Sequence, residues 1–192
     1  PTSNSATKKP TTIWLTAEHL FRTDNRAETW TTASPSVGAD QRCWIDPSAG
    51  RTCAPAQYFT AVVVAPFSSQ TVYAGTLNGD VWLTTNRGGS WRSIAGADAG
   101  PLPVRAVNDI VVDPQNANAA YVSYSGFDES GSGRGHVFRT LNAGASGQDI
   151  SGNLPDVPVN SLLIDPDSVG AGANRVIYAG TDVGVFRVTL DG

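Results

Sequence analysis

The segment 125–136 holds the residues of this chain that are best placed for chemistry. It reads Ser-Gly-Phe-Asp-Glu-Ser-Gly-Ser-Gly-Arg-Gly-His, with Asp128 and Glu129 side by side. Hydrolysis of a glycosidic bond needs two carboxyl groups that flank the bond, so these two residues are candidate catalytic acid and base. The glycines do not predict a phosphate-binding loop, because no helix follows to supply backbone N–H groups. The alternative is a solvated loop without a function.

Three stretches of the chain repeat the pattern Ser/Thr-x-Asp/Asn-x-Gly-x-x-Trp, each after a short apolar run. They span 23–30, 84–91 and 140–147, and a fourth begins at residue 189. Asn bonds nearby backbone N–H groups and Gly takes a positive φ without steric cost, so the pattern predicts hairpin turns with a structural role. The residues assigned to these turns are Thr23, Asn25, Trp30, Thr84, Asn86, Gly88, Trp91, Thr140, Asn142, Gly144 and Asp191.

Two positions depart from this pattern. Ala27 stands where glycine is expected, which predicts backbone strain in the first turn. Gly147 stands where tryptophan is expected in the third turn. Loss of such a large side chain should open a gap between neighbouring sheets, or require a neighbour to fill it.

Apolar strands that end in proline precede the hairpins. Three are clear at 61–66, 109–114 and 161–166, and their prolines are 48 and 52 residues apart. A continuous apolar run suits a strand covered on both faces, and proline ends its ladder because it lacks an N–H. These periods predict an all-β fold of β-propeller blades with four antiparallel strands each, about three and a half blades in this chain. The predicted blade segments are 11–35, 58–96, 106–152 and 159–192, after a flexible polar tail over 1–10.

The turn pattern resembles the Asp box, also called the bacterial neuraminidase repeat, although Asn replaces Asp at 25, 86 and 142. An inner strand ending in Asp-Pro, then Tyr-Ala-Gly-Thr, then the box is similar to Asp-box propellers. These include xyloglucanase-type glycoside hydrolases, sialidases, sortilin-type receptor domains and a photosystem assembly factor. The resemblance covers residues from about 11 to 192 and implies the fold. It implies no single activity, because these relatives do different things and none of their catalytic patterns can be assigned here.

In propellers of this kind, the loops between the second and third strands share one face with the connections between blades, and ligands bind to such loops. The ligand-binding residues predicted on that face are Trp44, Tyr58, Glu18, His19, Asp80, Arg134, His136 and Asp182. Trp44 could stack on a sugar ring or plug the central channel. His19 and His136 fall at comparable places in their repeats, but two histidines make a poor metal site, and we predict no metal and no cofactor.

The composition narrows the classes of partner. The chain has 17 acidic residues against 13 Lys and Arg, a formal charge of −4, so a nucleic-acid partner is not favoured. No apolar run is long enough to span a bilayer. Cys43 and Cys53 flank a segment rich in turn formers and could close a disulfide loop, which would predict an extracellular or periplasmic protein. The alternative is two free thiols in a cytosolic loop.

Three functions remain open at this point. The chain could be an exported binding or scaffold module that takes a carbohydrate or a protein on its loop face. It could be a fragment of a glycoside hydrolase that acts on a polysaccharide, or a structural half-propeller without an activity of its own. In each case an open array of blades would expose sheet edges and an apolar face. We therefore expect a homodimer, or cover by the remaining part of a longer chain.

Overall fold

The computed structural model describes residues 12–37, 44–46, 50–52, 57–94, 102–129, 131, 133, 135–168 and 174–190. For 44–46 and 50–52 it describes the backbone alone. Several predictions fall outside the described residues. These are the tail over 1–10, the disulfide of Cys43 and Cys53, the site residue Arg134, the turn residue Asp191 and the side chain of Trp44.

The described chain forms a series of antiparallel sheets in which each strand pairs with the next along the sequence. The first sheet holds β1 (Ile13–Thr16), β2 (Leu20–Thr23) and β3 (Thr31–Thr32). The second holds β6 (Phe59–Ala65), β7 (Ser68–Thr76), β8 (Val81–Thr84) and β9 (Arg92–Ser93). The third holds β10 (Val107–Asp113), β11 (Asn116–Tyr124), β12 (Val137–Thr140) and β13 (Gln148–Asp149). The fourth holds β14 (Val159–Ile164), β15 (Arg175–Thr181) and β16 (Gly184–Leu190).

These four sheets confirm the predicted all-β fold of partial propeller blades. A 3₁₀ turn at Pro166–Ser168 is the one helical element among the described residues. The sequence analysis missed a two-stranded ribbon of β4 (Trp44–Asp46) and β5 (Gly50–Thr52), which lies in the connection between the first and second sheets. Its strands are three residues long and carry no alternating apolar pattern, so they give little signal in the sequence.

The turns that follow β2, β8 and β12 share one set of hydrogen bonds. After β8, the Thr84 hydroxyl donates to Asn86 Oδ1 at 2.9 Å and accepts from the Gly88 N–H at 3.0 Å. Asn86 Oδ1 also accepts from the Ser90 N–H at 2.8 Å, and its Nδ2 donates to the Ser90 hydroxyl at 2.9 Å. The turns at 23–29 and 140–146 repeat every one of these contacts. Asparagine supplies an amide donor that aspartate lacks, which suits all three turns.

Each turn contains two consecutive residues with a left-handed backbone. These pairs are 26–27, 87–88 and 143–144, with φ between 59° and 90°. Glycine takes the second place in the last two, and a Cβ on Gly144 would lie 2.6 Å from Ile94. In the first turn Ala27 takes this place at φ 71°, so the strain predicted from the sequence is present.

Neighbouring sheets pack against one another through three apolar clusters. The first and second sheets meet at Leu20, Phe59 and Ala74 with the indoles of Trp14, Trp82 and Trp91. The second and third meet at residues that include Tyr73, Val81, Ile94, Val107, Val122, Tyr124 and Phe138. The third and fourth meet at residues that include Tyr121, Val137, Val159, Leu162, Ile164, Ile177 and Ala179. Full burial of one such side chain contributes roughly 1.5–3 kcal/mol to the stability of the fold, so these clusters hold each sheet against the next.

Polar side chains add specific links between the third and fourth sheets. Asp109 Oδ2 accepts a hydrogen bond from the Leu162 N–H at 2.9 Å. Arg175 Nε donates to Asp113 Oδ2 at 2.5 Å, and Asp113 is buried. This hydrogen bond raises the pKa of Arg175 above its usual value. A buried carboxylate with a guanidinium partner fixes how the two sheets meet, because removing either partner would leave a buried charge unpaired.

A small cavity of about 40 Å³ lies between the second and third sheets at Gly147. Its walls include Tyr73, Val81, Ile94 and Gly144. In the preceding repeat the corresponding residue is Trp91, whose Nε1–H donates to the Ala33 carbonyl of the first sheet at 2.6 Å. The gap expected from the missing tryptophan is therefore present.

We predict that Ala27→Gly raises the free energy of unfolding by about 0.5–1 kcal/mol. It removes a left-handed alanine that costs roughly 1–2 kcal/mol, against about 0.4–1 kcal/mol of extra entropy in the unfolded chain. Urea unfolding measures the change. The matched variant Gly144→Ala should instead destabilise by at least about 2 kcal/mol, since its Cβ would overlap Ile94. Equal effects of the two variants would contradict this reading of the turns.

We predict that Gly147→Trp raises the free energy of unfolding by about 1 kcal/mol, because it fills the cavity with the residue type found at Trp91. The control Gly147→Ala adds one methyl group and should gain less. The measurement is the same urea titration. A loss of stability in the tryptophan variant would mean that the walls have closed too far to admit the indole.

Candidate functional site

The long loop between β11 and β12 meets the connection between β13 and β14 at one end of the third sheet. The Asp128 N–H of the loop donates to Asp156 Oδ1 at 2.9 Å and to Oδ2 at 3.2 Å. Asp128 Oδ2 in turn accepts from the Gly133 N–H at 2.6 Å, which folds the loop back on itself. Two segments that lie far apart in the sequence thus share one carboxylate.

His136 is the buried centre of this site. Its side chain is 3% exposed, and its Nε2 lies 2.8 Å from Asp156 Oδ1. Arg105 Nη1 lies 3.3 Å from His136 Nδ1, and Arg105 Nη2 donates to the Gly135 carbonyl at 2.7 Å. Arg105 Nη1 also lies 3.5 Å from His136 Nε2, so the guanidinium is close to both ring nitrogens. The imidazole is therefore held in one orientation between Arg105 and Asp156.

The wall behind His136 is built by hydrogen bonds from the end of β13. Ser151 Oγ accepts from the His136 N–H at 2.8 Å and from the Val137 N–H at 2.9 Å. Asp149 accepts from the Gly135 N–H and from the Ser151 N–H, both at 2.9 Å. A Cβ at Gly135 would overlap the Ser151 side chain, so glycine is required for the loop to approach this closely. The backbone before β12 is thus fixed on both sides.

These residues surround an open cleft of about 460 Å³. Its lining residues are Asp128, Gly131, Gly133, Gly135, His136, Asp149, Ser151, Gly152, Leu154 and Asp156. Three of them are carboxylates, and Asp149 and Asp156 are exposed to solvent. Phe127, 53% exposed, precedes Asp128 in the loop, and Val104, 85% exposed, precedes Arg105. Both are exposed neighbours in sequence of residues of the site, and neither is among the residues that line the cleft.

The carboxyl of Asp156 is shifted toward its charged form. The backbone N–H of Asp128 lowers its pKa most, the hydrogen bond from His136 lowers it further, and the charge of Arg105 adds to this, against a raising effect of desolvation. Behind the site, Tyr124 is buried between the second and third sheets, and its hydroxyl donates to the Gly79 carbonyl at 3.1 Å. Burial raises the pKa of Tyr124, so this phenol stays protonated and acts as a structural donor.

Of the site residues predicted from sequence, the structure brings Asp128 and His136 to the cleft. Glu129 is exposed and is not among the residues that line it. The other described candidates lie in loops next to strands of the first, second and fourth sheets and do not line it either; they are Glu18, His19, Tyr58, Asp80 and Asp182. Some have local partners instead. Glu18 accepts from the Ser36 hydroxyl at 2.6 Å, and Asp182 accepts from Asn160 Nδ2 at 2.7 Å.

The sequence analysis missed Asp149, Ser151 and Asp156. Ser151 could have been found from the repeat, because the first sheet has a matching pair. Ser34 Oγ accepts from the Leu20 N–H at 2.8 Å, just as Ser151 does for the residue after His136. His19 occupies the place of His136, with its Nδ1 3.1 Å from the Ser34 carbonyl. Asp156 has no counterpart in this pair and carries no signal of its own beyond its place in a connection between sheets.

Within the part of the chain that the structure describes, no group of three or more His, Cys, Asp or Glu side chains is arranged to hold a metal ion. No helix in that part is long and apolar enough to cross a membrane.

The fold is similar to that of solved β-propeller structures. The GH74 xyloglucanase from Xanthomonas campestris is 15% identical, with a TM-score of 0.59 over 93% of this chain and 27% of that chain. An ancestral GH74 enzyme is 16% identical, with a TM-score of 0.55 over 95% of this chain and 24% of that chain. YCF48 bound to D1 peptide is 14% identical, with a TM-score of 0.50 over 90% of this chain and 48% of that chain.

These similarities establish the β-propeller fold alone. At such identities they assign no activity, and this chain spans between 24% and 48% of the length of those three structures. No protein-family model matches the chain, and no curated protein matches it.

We predict that the Asp156 carboxyl titrates below the ordinary aspartate range and that His136→Asn moves its pKa upward. A lowered pKa means that the carboxylate stabilises the folded site at a pH above its unfolded-state pKa. This contribution is lost as the pH falls through the folded-state value. A carbon-detected NMR titration of the aspartates measures both values. An Asp156 pKa that is unchanged in the variant would contradict the role assigned to the imidazole.

Proposed function

We propose that this chain is an exported carbohydrate-binding module of the Asp-box propeller type, and that its ligand binds in the cleft between the 125–136 loop and Asp156. The observation that carries the proposal is the convergence of Asp128, Asp149 and Asp156 on one cleft. Carboxylates accept hydrogen bonds from sugar hydroxyls. Phe127 precedes Asp128 in the loop and is exposed, and we propose that the apolar face of a pyranose stacks on its ring.

The Asp-box assignment is supported by the repeated turn chemistry. In all three turns a threonine hydroxyl and an asparagine carbonyl oxygen bind backbone N–H groups in the same order.

Export is proposed on the sequence alone, from the pair Cys43 and Cys53. Mass spectrometry of the non-reduced protein would detect the disulfide as a mass lower by two hydrogen atoms than that of the reduced protein.

A carbohydrate suits the cleft better than a protein ligand. The side chains at its surface are polar and acidic, and Leu154 is the one large apolar residue among those that line it. Protein-binding sites usually centre on a buried apolar or aromatic anchor. The similarity to GH74 enzymes, which include a xyloglucanase, is in accord with a polysaccharide ligand.

Glycoside hydrolysis is a second candidate, and the observation that favours it is that Asp128 and Asp156 both line the cleft. The sequence predicted Asp128 and Glu129 as the catalytic acid and base. Because Asp156 lines the cleft and Glu129 does not, Asp156 takes the place of Glu129 in this hypothesis. Asp156 would act as the base or nucleophile, since its lowered pKa keeps it charged, and Asp128 as the acid. A structural half-propeller without activity is the remaining alternative.

We expect xyloglucan oligosaccharides to bind the parent chain and Asp156→Asn to weaken binding at least about tenfold. Loss of a hydrogen bond to a charged group costs roughly 1.5–3 kcal/mol. Phe127→Ala should weaken binding by a similar factor if the ring stacks on the sugar. Isothermal titration calorimetry measures both. Asp167→Asn makes the same charge change on the 3₁₀ turn and should leave affinity unchanged. The absence of binding, or equal losses in the control, would contradict the proposal.

Release of reducing ends from the same oligosaccharides tests the second candidate. If the chain is a hydrolase, Asp128→Asn and Asp156→Asn each abolish turnover, whereas Glu129→Gln retains it. Circular dichroism confirms that the variants remain folded. If both aspartate variants still hydrolyse the oligosaccharides, Asp128 and Asp156 are not the catalytic pair. If the parent chain binds the oligosaccharides without hydrolysing them, the hydrolase hypothesis is wrong and the carbohydrate-binding proposal stands.

A further inference from the structure

The contact between neighbouring sheets repeats along the chain with two distinct halves. Each sheet presents a leading face to the next sheet and a trailing face to the previous one. On the leading face, Tyr73 and Tyr121 occupy the same strand position, are each 1% exposed and pack into the following sheet. The Tyr73 hydroxyl donates to the Ala117 carbonyl of that sheet at 2.9 Å.

Small and branched apolar residues flank each tyrosine and form the trailing face. In the second, third and fourth sheets all six are buried; they are Val72, Ala74, Ala120, Val122, Ile177 and Ala179. A leading face therefore offers a large aromatic side chain, and a trailing face offers the surface that receives it. Because the two faces differ in shape, a leading face fits a trailing face and does not fit another leading face.

A polar clasp accompanies the apolar contact. Arg22 of the first sheet donates to the carbonyl of Arg87, the left-handed residue in the turn of the second sheet. Arg92 of the second sheet donates to the carbonyl of Ala143, the equivalent residue in the turn of the third. An arginine on the leading side thus meets a turn carbonyl on the trailing side at two successive interfaces.

The first sheet carries a trailing half that no other sheet of the described residues covers. Ile13 and Leu15 occupy the positions that are buried in the other sheets, yet they are 45% and 53% exposed. Arg26 has the left-handed backbone of Arg87 and Ala143, and its carbonyl accepts no hydrogen bond from the described residues. Trp30, at the place of Trp91, is 40% exposed.

The fourth sheet carries the complementary leading half. Leu163, Tyr178 and Arg187 lie in one row across its three strands. Tyr178 takes the place of the buried Tyr73 and Tyr121, and Arg187 pairs with it as Arg22 pairs with Trp14. Arg187 is exposed, Leu163 is 58% exposed, and the nearby Val185 is 74% exposed.

We propose that the leading face of the fourth sheet binds the trailing face of the first sheet in a second copy of this chain. We infer a second copy of this chain as the binding partner because the two exposed faces carry the same kinds of residues that the three interfaces within the chain bury. Arg187 is expected to donate to the partner's Arg26 carbonyl. The contact is heterologous, and two copies joined at both ends would bring eight sheets together, within the range of closed propellers.

Light scattering after gel filtration tests this contact on the full chain of 20.0 kDa. We expect a mass of at least two chains for the parent. Leu15→Asp on the trailing face and Val185→Asp on the leading face should each weaken association at least about tenfold, because each buries an unpaired charge at the contact. Phe67→Asp is the matched control, since Phe67 is 86% exposed and lies on the turn between β6 and β7, away from both faces.

An equimolar mixture of the two variants distinguishes this arrangement from any other. The Leu15→Asp chain keeps its leading face and the Val185→Asp chain keeps its trailing face, so the mixture should form a heterodimer through one intact contact. Circular dichroism shows whether each variant is folded. A parent that is monomeric at every soluble concentration overturns the proposal. So does an oligomer that persists in both variants, or a mixture that stays monomeric although the parent associates.

Discussion

The hydrogen-bonded turn between the third and fourth strands is the constraint on which the rest of this structure depends. A threonine hydroxyl and an asparagine side chain hold two successive residues in the left-handed region, which the backbone of most residues avoids. That geometry points a backbone carbonyl toward the preceding sheet, where Arg22 or Arg92 binds it. The same turn thus leads into the last strand of its sheet and attaches that sheet to its neighbour.

Stacking of this kind makes the chain a linear array in which each sheet depends on those beside it. The array tolerates local departures from the repeat. Ala27 keeps the turn at the expense of backbone strain, and Gly147 leaves a small cavity without disturbing the hydrogen bonds of its turn. Because each departure affects one turn or one interface, the other sheets keep their register.

The cleft depends on this rigid array for its geometry. Arg105 comes from the connection that enters the third sheet, His136 from the loop before β12 and Asp156 from the connection that leaves it. The stacking of the second, third and fourth sheets brings these three connections to one end of the stacked sheets. The loop between β11 and β12 is then held by hydrogen bonds to Asp156, Asp149 and Ser151, and does not have to fold independently.

The fold class and the chemistry of the turns could be predicted from the sequence. Strand runs, proline stops and the Thr-x-Asn turns act within a few residues, so their spacing predicted the blades, the strain at Ala27 and the gap at Gly147. The candidate site was predicted only in part. Asp128 and His136 were found because they lie in the largest insertion of the repeat pattern. Glu129 was chosen as the second carboxylate because it follows Asp128 in sequence, and Asp156 was missed.

Only the tertiary structure decided which carboxylates share the cleft. Asp128 and Asp156 are 28 residues apart, and their contact exists because β12 and β13 return the chain to the same end of the sheet. Likewise, no pattern in the sequence distinguishes the exposed Ile13 and Leu15 from the buried Val72 and Ala74. Their exposure depends on whether another sheet stands against them. That is a property of the assembled array and not of any local run of residues.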